Sequence, residues 1–318
     1  MLYESLKTKK RKVILDTDIG PDCDDVGAIA VLLSYANELG FEVAGICNCT
    51  SNIYGSVTAD VICDYCGYEN IPMGIYSKPG FYDDESCRKY NKFIAENFSE
   101  KYKNGTFEVL PHVSFYRKLL SVAEDDSVII VTIGMFNTMA ALLESKPDKY
   151  SGLTGSELVR RKVHCAVSMA ARLPSGREFN VVCDYKASKV FFEKFPHNIY
   201  VSDAALGETI VTGYKESDDM QSNPIYRSYQ LYTADREVKC VNASFDLTAV
   251  QFACEGEGEI YSLTKPGRLE FYREKKFPNE DATRFVEDEA GKIYFMKKNI
   301  SDEKIAQLLN SRIHIFDR

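Results

Sequence analysis

The sequence predicts an α/β protein built on an open, mostly parallel (mixed) sheet flanked by helices. Three observations carry that expectation. First, a short apolar run, Val13 to Leu15, ends at the turn residues Gly20 and Pro21. From Val26 to about Leu39, Ala, Ile, Val and Leu then occupy nearly every side of a helical wheel, as in a buried strand followed by a buried helix. Second, the same strand, turn and helix succession recurs at 41–68 and at 127–145, which is how parallel strands are connected. Third, from Gly256 to Lys298 the pattern changes to short alternating segments, RLEFY and KIYFMKK among them, which reads as a small β-rich C-terminal appendage.

The first strand–helix junction is the most unusual stretch. Asp16, Asp18, Asp22, Asp24 and Asp25 fall within ten positions. Two carboxylates about 4 Å apart repel by roughly 4 kcal/mol at the effective dielectric of a partly buried site, so several converging ones call for a cation, shared protons or splayed geometry. A hard divalent ion is the simplest answer, held at a strand's carboxyl end, where open α/β sheets place their ligands. A plain helix N-cap accounts for Asp22 or Asp24 taken singly but not for five acids. An EF-hand loop does not fit, because Gly20 stands at a ligand position and Pro21 where the turn glycine belongs. A dehalogenase-type, magnesium-dependent phosphatase also begins with a strand and Asp-x-Asp. It stays open as an alternative, with Asp16 as nucleophile.

The remaining elements follow in order. FEVAGICNCTSN (41–52) reads as a second strand entering a polar loop, and SVTADVICDYCGY (56–68) as a second helix; Asn52 between them suits an ordinary Asx-turn. Residues 71–110 show no clear periodicity and form a long excursion, a lid or simple surface, to which no role is assigned. Val128 to Ile133 form a buried strand, Gly134 turns, and Asn137 or Thr138 can cap the next helix. In 162–184 a strand runs through Val167; if Glu178 to Asn180 is extended, both side chains share one face and offer a carboxylate and an amide to a polyol. Residues 198–213 read as a strand and a glycine-punctuated turn. Pro224 opens a helix with Tyr226, Tyr229 and Tyr232 three apart, a stripe that suits core packing as well as base stacking. Asp246 stands before another helix, where a bare N-cap is the plain alternative to a ligand. Ser301 caps a terminal helix, 301–313, with Ile305, Leu308, Leu309 and Arg312 on one face.

Composition bounds the function. The 318 residues, 45% hydrophobic, suffice for one large domain, taken as 12–318 after a basic lead-in at 1–11. A net charge of −8 argues against nucleic acid and for a small-molecule partner. No apolar run reaches membrane-spanning length. The ten cysteines lie mostly in apolar runs without a signal peptide, so they read as reduced in a cytoplasmic protein, and the single CxxC of Cys63 and Cys66 as packing rather than zinc.

The pairs Asp16-x-Asp18 and Asp24-Asp25 at a helix start, Gly134 with Asn137-Thr138, and Glu178-Phe179-Asn180 together resemble the inosine-uridine-preferring nucleoside hydrolase family, over roughly residues 12–255. Two extra residues separate the aspartate pairs here, and the Thr-Asn order is reversed. The resemblance implies the nucleoside hydrolase fold, bound Ca²⁺ and hydrolysis of the N-glycosidic bond of a riboside. It assigns Asp18, Asp25, the Ile133 carbonyl and Asp246 to calcium. Asp18 also becomes the general base toward a metal-bound water. Asp24, Asn52, Met169, Glu178 and Asn180 are assigned to the sugar and Tyr229 to the base, and there is room for a homodimer or homotetramer. Three positions depart from the pattern: Ala170-Ala171 replaces Gly-Gly, Ala205 a Glu, and Phe245 the His that serves as leaving-group acid. A ribose- or nucleoside-binding protein without turnover is the corresponding alternative.

Overall fold

The computed structural model describes residue 6, residues 11–273 and residues 280–318, so most of the basic lead-in lies outside the described residues. Strand β1 (Lys12–Thr17) turns alternate residues to opposite layers: Val13 and Leu15 enter one core cluster and Ile14 the other. Helix α1 (Asp24–Leu39) is buried from Asp24 to Ala36 and ends at Gly40, left-handed at φ 67°, whose N–H donates to the Ala36 carbonyl. Strand β2 (Glu42–Asn48) and α2 (Ile53–Tyr65) complete the first crossover. The stretch without legible periodicity folds as β3 (Met73–Ile75), α3 (Asn91–Phe98), α4 (Glu100–Lys103) and β4 (Leu110–Pro111), with α3 packed on α2 through buried Ile94 and Ala95.

The chain continues through α5 (His112–Val122), β5 (Val128–Thr132), α6 (Asn137–Leu143), α7 (Gly155–Lys162) and β6 (Val163–Met169). Then come β7 (Ser175–Gly176), α8 (Phe179–Cys183), α9 (Tyr185–Lys194), β8 (Ile199–Ser202), α10 (Ala204–Gly207) and β9 (Val211–Gly213). The last third holds α11 (Pro224–Tyr232), β10 (Val241–Ala243), α12 (Phe245–Glu255), β11 (Tyr261–Leu263), β12 (Gly267–Arg273), β13 (Asp281–Glu287), β14 (Ile293–Lys298) and α13 (Asp302–Ile313).

The main sheet runs β4, β3, β2, β1, β5, β6, β8, β14, β12, β13, β7, with β11 on β14; β9 and β10 pair separately. Neighbours from β4 to β14 are parallel, and the strands beyond are antiparallel. Residues predicted as an appendage therefore extend the central sheet, because β14 pairs in parallel with β8 (Tyr294 with Tyr200). One apolar layer is built largely from α1, α2, α12 and α13, and the other from α5, α6, α7 and α9. In α13 the buried residues are Ile305, Leu309 and Ile313 while Leu308 turns outward, a rotation of the face expected from sequence. Arg312 lies 4.0 Å from the Tyr35 ring centroid. All ten cysteines are unpaired, and among the described residues no helix is long and apolar enough to cross a membrane.

Candidate functional site

A cavity of about 300 Å³ opens at the carboxyl ends of neighbouring parallel strands. Asp18 follows β1, Ile133 follows β5, Met169 ends β6 and Ala204 follows β8, and all four line it. This is the placement that sheet topology favours, since strand ends are where loops can converge without breaking the ladder. Glu178 and Asn180 at the start of α8 form one wall, Tyr232 ends α11, and Phe245 and Asp246 open α12.

Beside it, Asp22, Asp24, Asp25 and Asp246 bring one carboxylate oxygen each within 4.8 Å of one another. Asp246 sits in the first turn of α12 and does not cap it; its own N–H instead donates to Asp24 Oδ2 at 3.0 Å. The N-cap explanation thus fails for this residue. Asp25 accepts from Thr17 Oγ1, and its Oδ2, fully buried, has no partner among the described residues. Burial first, then mutual repulsion, pushes the carboxyls of Asp24, Asp25 and Asp246 well above the usual range; Asp18 is raised in the same way by burial and by Asp22 and Asp24. Four hard oxygen donors and an orphaned buried carboxylate oxygen fit a divalent cation of the calcium or magnesium kind.

Several predicted residues stand differently from expectation. Asp25 and Asp246 belong to the acidic cluster, but Asp18 lies outside the four carboxylates and, like Ile133, faces the cavity. The Ile133 carbonyl accepts from Asn180 Nδ2 at 3.2 Å, which occupies one of its two lone pairs. Asp24, assigned to sugar, joins the cluster and does not line the cavity; Asn242 Nδ2 reaches its Oδ1 at 3.4 Å. Asn52 is an N-cap: its Oδ1 accepts from Tyr54 N–H at 3.1 Å and its Nδ2 donates to the Cys87 carbonyl at 3.1 Å, so neither end points at the cavity. Tyr229 is fully buried with its hydroxyl against Gly27, and the cavity instead takes Tyr232 from the same helix. Met169 lines the cavity, its sulfur 3.3 Å from Asn180 Nδ2.

Glu178 and Asn180 do share a wall, but not as an extended pair. Glu178 caps α8, its Oε1 accepting from Asn180 N–H and its Oε2 from the N–H groups of Val181 and Ala171 at 2.7–3.1 Å. Burial still pushes its carboxyl up to about 7 against those three donors. Ala170 and Ala171 are buried and do not line the cavity, so their methyl groups leave its size unchanged.

Asp16 lies outside the cavity, which removes the nucleophile of the phosphatase alternative. Strand parity sends Asp16 to the layer opposite Thr17, where Tyr116 and Thr138 donate to its Oδ2 and burial pushes its carboxyl up to about 7. Thr138 is thereby used on Asp16 and Asn137 on the Cys49 carbonyl, and neither caps α6.

Sequence reasoning gave no site role to Asp22, Arg172, Arg177, Phe179 and Tyr232, all of which line the cavity. Asp22 had a signal, its membership in the aspartate run. The phase of the tyrosine stripe had none, because three tyrosines at helical spacing do not tell which turn reaches the strand ends. Tyr232 is flanked by two cations, the Arg236 guanidinium 4.1 Å and the Lys89 ammonium 5.0 Å from its ring centroid. Burial pushes the Asp22 carboxyl up, and both cations act against that shift.

With this geometry in place, the chain can be compared with known proteins. No protein-family model matches it, and no curated protein does. Among solved structures it is similar to a plant nucleoside hydrolase (17% identity, 96% of this chain and 99% of that one, TM-score 0.66). It is also similar to an inosine-uridine preferring nucleoside hydrolase from Bacillus anthracis (14%, 96% and 99%, 0.65) and to the type III effector protein XopQ in complex with adenosine diphosphate ribose (12%, 98% and 96%, 0.65). The chain has the nucleoside hydrolase fold. At these identities the likeness is one of fold, and the chemistry has to be argued from the site.

Proposed function

We propose that the protein is a divalent-cation-dependent hydrolase of the N-glycosidic bond of ribonucleosides or related ribosides, with Ca²⁺ as the ion. The observation that carries this reading is the convergence of Asp22, Asp24, Asp25 and Asp246 beside a cavity walled by Asp18, Glu178 and Asn180. Asp25 and Asp246 are the ligands that motif and geometry share, with Asp22 and Asp24 completing the set. Calcium, when bound, supplies the positive charge that eases deprotonation of the attacking water and attracts ribose hydroxyls. Asp18, beside the cluster and open to the cavity, takes the proton of that water as its oxygen bonds to C1′ and the C1′–N bond breaks. Glu178 and Asn180 hold the sugar side, and Phe245 and Tyr232 bound the space for the leaving base. The carboxylates favour the positive charge that develops at the anomeric carbon.

Phe245 supplies no proton to the departing base, and that observation supports a second reading, a riboside-binding protein without turnover. One experiment addresses both. Chelator-stripped protein is titrated with Ca²⁺ by calorimetry, and ribose release is then followed on a nucleoside panel. The hydrolase reading expects one Ca²⁺ per chain, lost in Asp246→Ala and Asp25→Ala, together with calcium-dependent ribose release. Uptake and nucleoside binding without release would leave the binding reading, and uptake indifferent to both substitutions would sink the site.

A further inference from the structure

Two arginines line the cavity and are not among the cations that act on the acidic cluster's Asp22. Arg172 and Arg177 lie on the segment between β6 and α8, whereas the cations acting on Asp22 are Arg236 and Lys89. A neutral nucleoside offers a guanidinium at this wall hydrogen-bond acceptors but no opposite charge. Arg172 contacts Glu208 through a single nitrogen, Nη1, at 3.1 Å. Arg177 donates from Nη1 to the backbone carbonyl of Asp281 at 3.2 Å and pairs with no carboxylate among the described residues. Among the described residues neither guanidinium makes a two-nitrogen contact with a carboxylate, so each keeps N–H donors for a further acceptor.

The segment is also built in. β7 pairs with β13 (Gly176 with Thr283, Ser175 with Arg284), Phe285 N–H donates to the Pro174 carbonyl at 2.9 Å, and Asp203 Oδ2 accepts from Leu173 N–H at 2.9 Å. The C-terminal antiparallel strands thus hold the two arginines at the cavity, which gives that part of the sheet a task beyond packing. Two guanidiniums held on a clamped segment match the tetrahedral, multiply charged oxygens of a phosphate ester better than any other common group.

We infer that the ribosyl group accepted by this cavity carries a phosphate, bound by Arg172 and Arg177. The inference rests on the ribosyl reading above and adds the substrate class. On that reading the ion and its carboxylates take the secondary hydroxyls, which leaves the primary hydroxyl as the position to be esterified.

The test is calorimetric titration of the full chain, with Ca²⁺ present, using ribose and ribose 5-phosphate as probes. Ribose 5-phosphate should bind at least about tenfold more tightly, and Arg172→Gln with Arg177→Gln together should bring the ratio of the two affinities to within about threefold of one. Arg177→Lys, which keeps the charge but not the fork, should retain part of the ratio and shows that the effect is not lost folding. Equal affinities in the unaltered protein, or a ratio that survives the double substitution, overturns the inference while ribose binding leaves the ribosyl reading standing. Arginine-dependent binding of ribose 5-phosphate with no calcium-dependent release of ribose or its phosphate from any riboside would leave the inference standing and overturn the hydrolase reading in favour of binding without turnover.

Discussion

At the residue scale, the aspartates show how one amino acid takes different roles within ten positions. Asp16 and Thr17 are neighbours in β1, yet pleating sends Asp16 to Tyr116 and Thr138 and Thr17 to Asp25. Ala171 is a second such case. It occupies a left-handed conformation, φ 61°, which favours glycine. A non-glycine residue there costs about 1–2 kcal/mol, against roughly 0.5–1 kcal/mol of extra chain entropy for glycine. Ala171→Gly should therefore stabilise the protein by up to about 1 kcal/mol in chemical denaturation. His112 is a third. Its ring is buried, Nδ1 accepts from Ser77 N–H at 3.3 Å, and burial pushes its pKa down to about 4. The unfolded chain takes up this proton from about pH 6.5 downward and the folded one only near 4, so stability falls as pH drops through that window, by at most roughly 3 kcal/mol. His112→Phe should make the melting temperature fall less steeply between these pH values. Parallel curves would remove His112 as a source of acid sensitivity.

At the element scale, the site depends on how helices dock against strand ends. Gly207 in α10 is packed so closely on the start of α12 that an added Cβ would lie 2.6 Å from Phe245 Cα and 2.8 Å from the Ser244 carbonyl oxygen. Backbone cannot yield there without moving the first turn of α12, which carries Asp246. Gly207→Ala, which touches no carboxylate, should weaken Ca²⁺ binding at least about tenfold in calorimetry, because carboxylate ligands must meet the ion at 2.3–2.6 Å. Asn180 works similarly, its amide reaching the Ile133 carbonyl beyond β5 and the Met169 carbonyl at 3.4 Å in β6. Asn180→Ala leaves buried acceptors unpaired and should cost about 1–3 kcal/mol of unfolding free energy, with any loss of ribose affinity measured in parallel.

At the scale of the whole molecule, three buried carboxylates and the half-buried Asp22 repel one another and oppose folding, a cost that the proposed cation would offset. Ca²⁺ at about 100 times its Kd should raise stability by roughly 2.7 kcal/mol, several degrees in melting temperature, and Asp25→Ala should remove that response. With Phe245 in place of a proton donor, p-nitrophenyl riboside should be cleaved far faster than inosine, since nitrophenolate departs without an acid. Equal rates, limited by chemistry, would point to Tyr232, the phenol that lines the cavity, as the acid. The sequence by itself determined the α/β class, the parallel crossovers and the density of acids at the first strand–helix junction, because hydrophobic period and charge crowding are local properties. It also gave the short Glu178-Phe179-Asn180 motif, whose side chains do reach the cavity wall. Only the tertiary structure decided which acids converge, that Asn52 and Glu178 cap helices, that Tyr232 rather than Tyr229 reaches the cavity, and that C-terminal strands bring Arg172 and Arg177 to it. Those outcomes depend on strand parity, helix phase and contacts between residues as far apart as Asp24 and Asp246, 222 positions, which no local pattern encodes.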